Sequence, residues 1–126
     1  MKAFVDASPK EACVVFENSP CEWVYLLGDN TNNEAEYKAV VHALVKAKEL
    51  GIELNEILSD SQLVVRQLNG EYKVREKRLE CFVEAIWDSI GAKYQRVGRF
   101  LRLMQHGSVK FTWIPREENK AGRTLD

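Results

Sequence analysis

Cysteine is scarce: Cys13, Cys21 and Cys81 are the only ones among 126 residues, and they form no Cys-x-x-Cys pair and no cluster with the two histidines. An odd count argues against a disulfide framework, and the missing clusters argue against zinc, so buried reduced thiols are expected. No apolar stretch approaches the roughly 20 residues that cross a bilayer. The N-terminal Met1-Lys2-Ala3-Phe4-Val5-Asp6 reaches an acid before a signal-peptide core could form. No membrane partner is expected, and the expected location is the cytoplasm. An excess of either charge is also missing: 18 Lys and Arg stand against 19 Asp and Glu, for a net charge of −1. Overall electrostatics therefore make no case for nucleic acid, and any such case has to be local. No repeat, linker or low-complexity tract divides the chain, so residues 1–126 read as one domain.

Apolar residues make up 45% of the chain, enough for a sizeable core. Lys2 to Asp6, Ala12 to Glu17 and Glu22 to Leu27 read as strands, the last two separated by the turn signal Asn18-Ser19-Pro20. Helical spacing follows from Asn33 to Leu50, with Thr31 or Asn32 as N-cap and Gly51 as terminator. Glu53 to Ser59 reads as a strand and Ser61 to Leu68 as a short helix. Helical periodicity then runs from Val74 to Met104, with Leu79, Phe82, Val83, Ile86 and Ile90 as its buried stripe and Gly91 and Gly98 as weak points. Val109 to Ile114 is a last strand, and a helix begins at Asn119. The order β-β-β-α-β-α-α-β-α predicts an α/β domain: a mixed five-stranded sheet with helices on both faces.

The residues that carry chemistry are acids. Asp6 ends the first apolar run, Asp60 ends a later one, and Glu36 falls in the first turns of the long helix. Three carboxylates delivered from two strand ends and a helix suit a hard divalent cation, Mg²⁺ or Mn²⁺, and the cation in turn holds phosphate. Local positive charge occurs in two places. Lys93, Arg96, Arg99 and Arg102 recur every three positions, which predicts a helical stripe, and Lys73, Arg75, Lys77 and Arg78 form a second group. Trp23, Trp87 and Trp113 read as packing residues, and mid-helix His42 and loop His106 as surface residues, with proton shuttling by His106 as the alternative.

Five ordered blocks carry a resemblance: Asp6 on its strand, Thr31-Asn32-Asn33-x-Ala35-Glu36-Tyr37, Ser59-Asp60-Ser61-Gln62-Leu63-Val64-Val65, Gln67-x-Asn69-Gly70-Glu71-Tyr72-Lys73-Val74 and Trp113-Ile114-Pro115-Arg116-Glu117-Glu118-Asn119. Together they resemble type 1 ribonuclease H in its compact archaeal and bacterial form. The resemblance implies metal-dependent, endonucleolytic hydrolysis of the RNA strand of RNA/DNA hybrids by a two-metal mechanism. It makes Asp6, Glu36 and Asp60 the catalytic and metal-binding acids. Thr31, Asn32, Asn33, Lys73, Arg116 and Asn119 become substrate contacts, with the 2′-hydroxyl as the handle that marks RNA.

The sequence departs from that family's pattern in three places. The fourth carboxylate, expected in the last helix, falls on Arg123 if the chain is aligned without a gap from Asn119, or on Gly122 if Ala121 is matched instead. Neither is an acid, which leaves Asp126 or Glu118 as substitutes. The loop after Asp6 (Ala7-Ser8-Pro9-Lys10-Glu11) lacks the usual glycines. The chain also runs only a few residues beyond Asn119, which predicts an uncovered apolar patch and a homodimer through the C-terminal region. The alternative function is a ribonuclease H-fold module that binds nucleic acid or a protein but cuts weakly or not at all.

Overall fold

Alternation along the first strand sorts its residues onto two faces of a sheet, and the rest of the chain is built around that division. The computed structural model describes residues 1–122. Strands β1 (Lys2–Ser8), β2 (Glu11–Phe16) and β3 (Glu22–Leu26) form an antiparallel meander. Helix α1 (Asn32–Glu49) crosses over to β4 (Glu56–Ser59), and α2 (Gln62–Leu68) and α3 (Lys77–Ser89) follow. A hairpin of β5 (Lys93–Val97) and β6 (Phe100–Gln105) precedes β7 (Lys110–Trp113) and a single 3-10 turn, Arg116–Glu118.

Five strands pair in the order β3-β2-β1-β4-β7, with β1, β4 and β7 mutually parallel. This is the mixed five-stranded sheet expected from the sequence. Ala3, Val5, Ala12, Val14 and Phe16 face α1 and α3 and join Tyr37, Val40, Leu79, Val83, Ile86 and Trp87 in the main core. The opposite face carries Phe4, Cys13 and Val15, covered by Ala121. Among the described residues the three α-helices therefore share one face, and Ala121 packs on the other. No helix among them is long and apolar enough to cross a membrane.

Several expectations are corrected. Val74 to Met104 is not one helical segment: α3 stops at Ser89, and Gly91 takes a φ of 71° that ends it. Residues 93–105 fold instead as a hairpin, because their apolar members repeat at period 2, not 3.6. Tyr94, Leu101 and Leu103 pack toward the main core. Gly98, at φ 62°, occupies the first position of a two-residue turn, where a positive φ matches the twist of the flanking strands. The basic residues at every third position thus lie on strands and a turn, not on a helical stripe. Asp6 does not end its strand, since β1 continues through Ala7 and Ser8 before the turn at Pro9-Lys10. Only Cys13 is buried; Cys21 and Cys81 are exposed thiols. Trp113 is 43% exposed, whereas Trp87 is core and donates its indole N–H to the Leu68 carbonyl at 2.9 Å.

Candidate metal centre

The parallel pairing of β1 with β4 sets the site. Val5 lies opposite Ser59, so the next residues along each strand, Asp6 and Asp60, emerge side by side. Asp60 sits just past the C-terminal end of β4, before the Ser61 N-cap of α2. The ends of parallel strands are where α/β sheets place ligands. Glu36 comes from the second turn of α1. That helix starts where it does because Thr31 caps it: the Thr31 hydroxyl accepts from the Glu34 amide at 3.2 Å, and Glu34 Oε1 accepts from the Thr31 amide at 3.2 Å.

One carboxylate oxygen from each of Asp6, Glu36 and Asp60 lies within 4.8 Å of the others. Asp6 is 5% exposed, and Glu36 Oε2 is buried without a hydrogen-bond partner. Anions so close and so dry resist ionising. Burial, then the neighbouring Asp6 and Asp60 charges, push the Glu36 carboxyl up to about 8. Burial and then Asp60 raise Asp6 as well, against smaller opposing contributions from the Ala7 amide and Arg116. An orphaned buried oxygen inside a cluster of hard oxygen donors fits a divalent cation, which would satisfy that oxygen and relieve the repulsion together.

The other expected residues are placed as follows. Asn119, expected at the substrate, is instead a buried strut. It is 1% exposed, its side-chain amide donates to the Val5 carbonyl at 2.9 Å and to Asp60 Oδ2 at 3.1 Å, and its oxygen accepts from the Ala121 amide at 3.1 Å. With every polar atom occupied, it orients Asp60. Asn119→Ala should destabilise the fold by about 2–3 kcal/mol, because it strands a buried carbonyl and removes a charge-assisted bond; urea denaturation measures this. Arg116 lies close enough to Asp6 to act on its charge. Thr31 is exposed and committed to the cap, whereas Asn32 and Asn33 follow it in the first turn. Lys73 lies over the Phe100 ring at 4.7 Å, on the hairpin side of the molecule. Glu118 is an exposed residue of the 3-10 turn and does not join the three acids. His106 is remote: it shares a cavity with Asn55 and Lys110, at the end of the parallel strands opposite the carboxylates.

Arg123 and Asp126 lie outside the described residues, as does the C-terminal region on which the dimer expectation rests. Gly122 lies within them. A Cβ at this position would sit 3.2 Å from Asp6 Oδ2, so residue 122 is a position that faces the cluster. Trp113, expected as packing, is a residue of the site. Its register opposite Ser59 puts the indole beside Asp60, to whose carbonyl it donates at 3.2 Å, and leaves an exposed ring at the rim. Its position signals this role, since Phe111 is buried two residues earlier while Trp113 ends β7 level with the last residue of β4.

This sheet order, with acids on β1, just past the end of β4 and in α1, defines a ribonuclease H-type domain. The chain belongs to the reverse transcriptase-like family, whose profile matches residues 19–125. The bifunctional protein Rv2228c of Mycobacterium tuberculosis is 31% identical over 94 residues, covering 74% of this chain and 22% of that protein. The chain thus spans only 22% of the length of such curated relatives. LC11-RNase H1, solved in complex with an RNA/DNA hybrid, superposes with a TM-score of 0.72 at 26% identity, covering 99% of each chain. RNase H1 from the halophilic archaeon Halobacterium salinarum NRC-1 shares the fold, with a TM-score of 0.75 at 23% identity over 98% of this chain and 92% of that one.

Proposed function

We propose that this chain is a divalent-cation-dependent endonuclease that hydrolyses the RNA strand of RNA/DNA hybrids. The observation that carries the reading is the trio Asp6, Glu36 and Asp60, with oxygens within 4.8 Å and one Glu36 oxygen buried and unpartnered. A scaffold has no use for three converging anions, whose repulsion weakens the fold until a cation enters. These three residues would hold Mg²⁺ or Mn²⁺. When bound, such a cation supplies charge stabilisation at the scissile phosphate and an activated water nucleophile.

The remaining residues position that chemistry. Asn119 fixes the direction of Asp60 through its amide, and the Trp113 indole anchors the Asp60 backbone. Asn32 and Asn33 sit one turn before Glu36 and present amides to a minor groove, where the 2′-hydroxyl distinguishes RNA from DNA. Arg116, close enough to Asp6 to act on its charge, would contact a phosphate oxygen of the hybrid.

One observation favours the second reading, a module that binds hybrids and cuts them poorly: the position facing Asp6 from the C-terminal segment is Gly122, which offers no ligand. An end-labelled RNA/DNA hybrid incubated with the protein in Mg²⁺ and in Mn²⁺ separates the two. RNA-strand products that disappear in Asp60→Asn support the nuclease. Retention of hybrid with no products in either cation supports the module.

A further inference from the structure

The hairpin β5–β6 is held firmly against α3 and climbs along it. Tyr94 packs against Trp87 with ring centroids 5.2 Å apart and the planes tilted by 46°, and its hydroxyl donates to Asp88 Oδ1 at 2.8 Å, while Arg96, two residues further on, pairs with Glu84 at 3.7 Å and with Glu80 one turn higher. At its root, Gly107 packs so closely that a Cβ would lie 2.4 Å from the Ile90 carbonyl oxygen. At its side, Gly70 packs so closely that a Cβ would lie 2.9 Å from the Leu103 Cβ. The hairpin is thus a fixed arm whose turn, Gly98-Arg99, reaches the N-terminal end of α3. There it closes a recess of about 490 Å³ lined by Arg75, Lys77, Glu80, Arg96, Gly98 and Arg99.

The charge in this recess is lopsided. Its one acid, Glu80, is already paired with Arg96. Arg75, Lys77 and Arg99 are exposed and have no acidic partner among the described residues. On the other side of the hairpin, Lys73 and Arg102 line a second hollow with Tyr72 and Phe100, again without an acid. A chain with a net charge of −1 has therefore gathered unmatched cations at one end of one helix. That end adjoins the carboxylate site: Arg78, next to Lys77, pairs at 3.6 Å with Glu34, two residues before Glu36 on α1. Rigid guanidinium groups around a concave surface fit phosphate oxygens, and several in a row fit a phosphodiester backbone.

We propose that the hairpin recess is a second nucleic-acid contact, in which Arg75, Lys77 and Arg99 hold backbone phosphates of a strand running on from the carboxylate site. Arg96 is a positioning residue, tied to Glu80 and Glu84 so that the turn stays over α3. The inference rests on the nuclease reading for the identity of the strand, but it is tested separately.

The test uses the full chain carrying Asp60→Asn, which leaves a hybrid intact in Mg²⁺, and follows fluorescence-anisotropy binding across a salt series. Each phosphate that the protein ceases to neutralise lowers the slope of log affinity against log salt by about 0.9. Arg75→Ala with Arg99→Ala should lower that slope by about 2 and weaken binding roughly tenfold at low salt. Lys48→Ala with Lys110→Ala, exposed cations away from both the recess and the carboxylate end of the sheet, should change neither. An unchanged slope and affinity in the recess variant overturns the second contact. Cleavage by the chain with Asp60 intact is read in parallel. Cleavage with no slope change removes the recess alone, a reduced slope without cleavage removes the catalytic reading alone, and failure of the intact chain to bind hybrid at all overturns both.

Discussion

Glu36→Gln is expected to raise the melting temperature of the cation-free protein at pH 8 and at the same time to remove cation-dependent hydrolysis. The Glu36 carboxyl is pushed up to about 8 by burial, reinforced by Asp6 and Asp60. In the unfolded chain it titrates near the ordinary glutamate value of 4.5. Between those two values the folded protein binds more protons than the unfolded one, so stability falls as pH rises through that window and levels off above it. Full ionisation costs the cation-free fold on the order of 3 kcal/mol, once water entry and relaxation are allowed for. A neutral amide of the same shape avoids that cost. For a chain of this size the gain corresponds to roughly 10 °C at pH 8, shrinking toward zero near pH 5.

The cation changes the sign of the pH dependence. Under the proposed function Mg²⁺ would bind the ionised carboxylates in competition with the proton on Glu36, so its stabilising effect on the parent chain should grow from pH 6 to pH 8. In Glu36→Gln that growth should be largely gone, because the titrating ligand is missing. Thermal melts with EDTA and with Mg²⁺ at several pH values measure all of this. A cation-free melting temperature that is flat in pH, with no gain in the variant, would show that the three acids are not crowded in solution.

Much of the fold is legible in the sequence because its signals are local. Thr31 and Glu34 form a capping box that starts α1, and the apolar runs of β1, β2 and β4 each read as strands. Once the strand order is known, the pairing of Val5 with Ser59 brings Asp6 and Asp60 together, so two acids distant in sequence declare themselves as neighbours. Residues 93–105 mislead because basic side chains at every third position imitate a helix while tolerating any solvent-facing geometry. The period-2 burial of Tyr94, Leu101 and Leu103 holds the real information, and Gly98 breaks it at the turn. Asn119 misleads for a different reason. An asparagine in a motif can touch substrate or can orient the residue that does, and only its saturated hydrogen bonds to Val5, Asp60 and Ala121 decide between them. Of the two alignments of the missing acid, the closeness of residue 122 to Asp6 favours Gly122, a distinction of one residue that spacing alone does not make.

That closeness gives the second large effect: Gly122→Asp should convert a three-carboxylate site into a four-carboxylate one. Gly122 does not need a positive φ, so an L side chain is compatible with its backbone, and the new Cβ would meet Asp6 Oδ2 at 3.2 Å, a separation that Asp6 relieves by moving a few tenths of an ångström. The added carboxyl then projects beside Asp6. Without cation, a fourth anion in a dry cluster deepens the repulsion, so the variant should melt several degrees lower than the parent in EDTA at pH 8. With Mg²⁺ the order should reverse, since ligand charge sets the affinity of oxygen-donor sites. Half-saturation should come at about tenfold lower Mg²⁺, with a comparable rise in hybrid cleavage at limiting cation. Gly122→Ala carries the same Cβ without the charge, and should lower stability slightly while leaving Mg²⁺ dependence unchanged. If aspartate and alanine behave alike, residue 122 is a packing position and the three acids act alone. If only aspartate shifts the Mg²⁺ dependence, the glycine accounts for whatever activity this chain lacks.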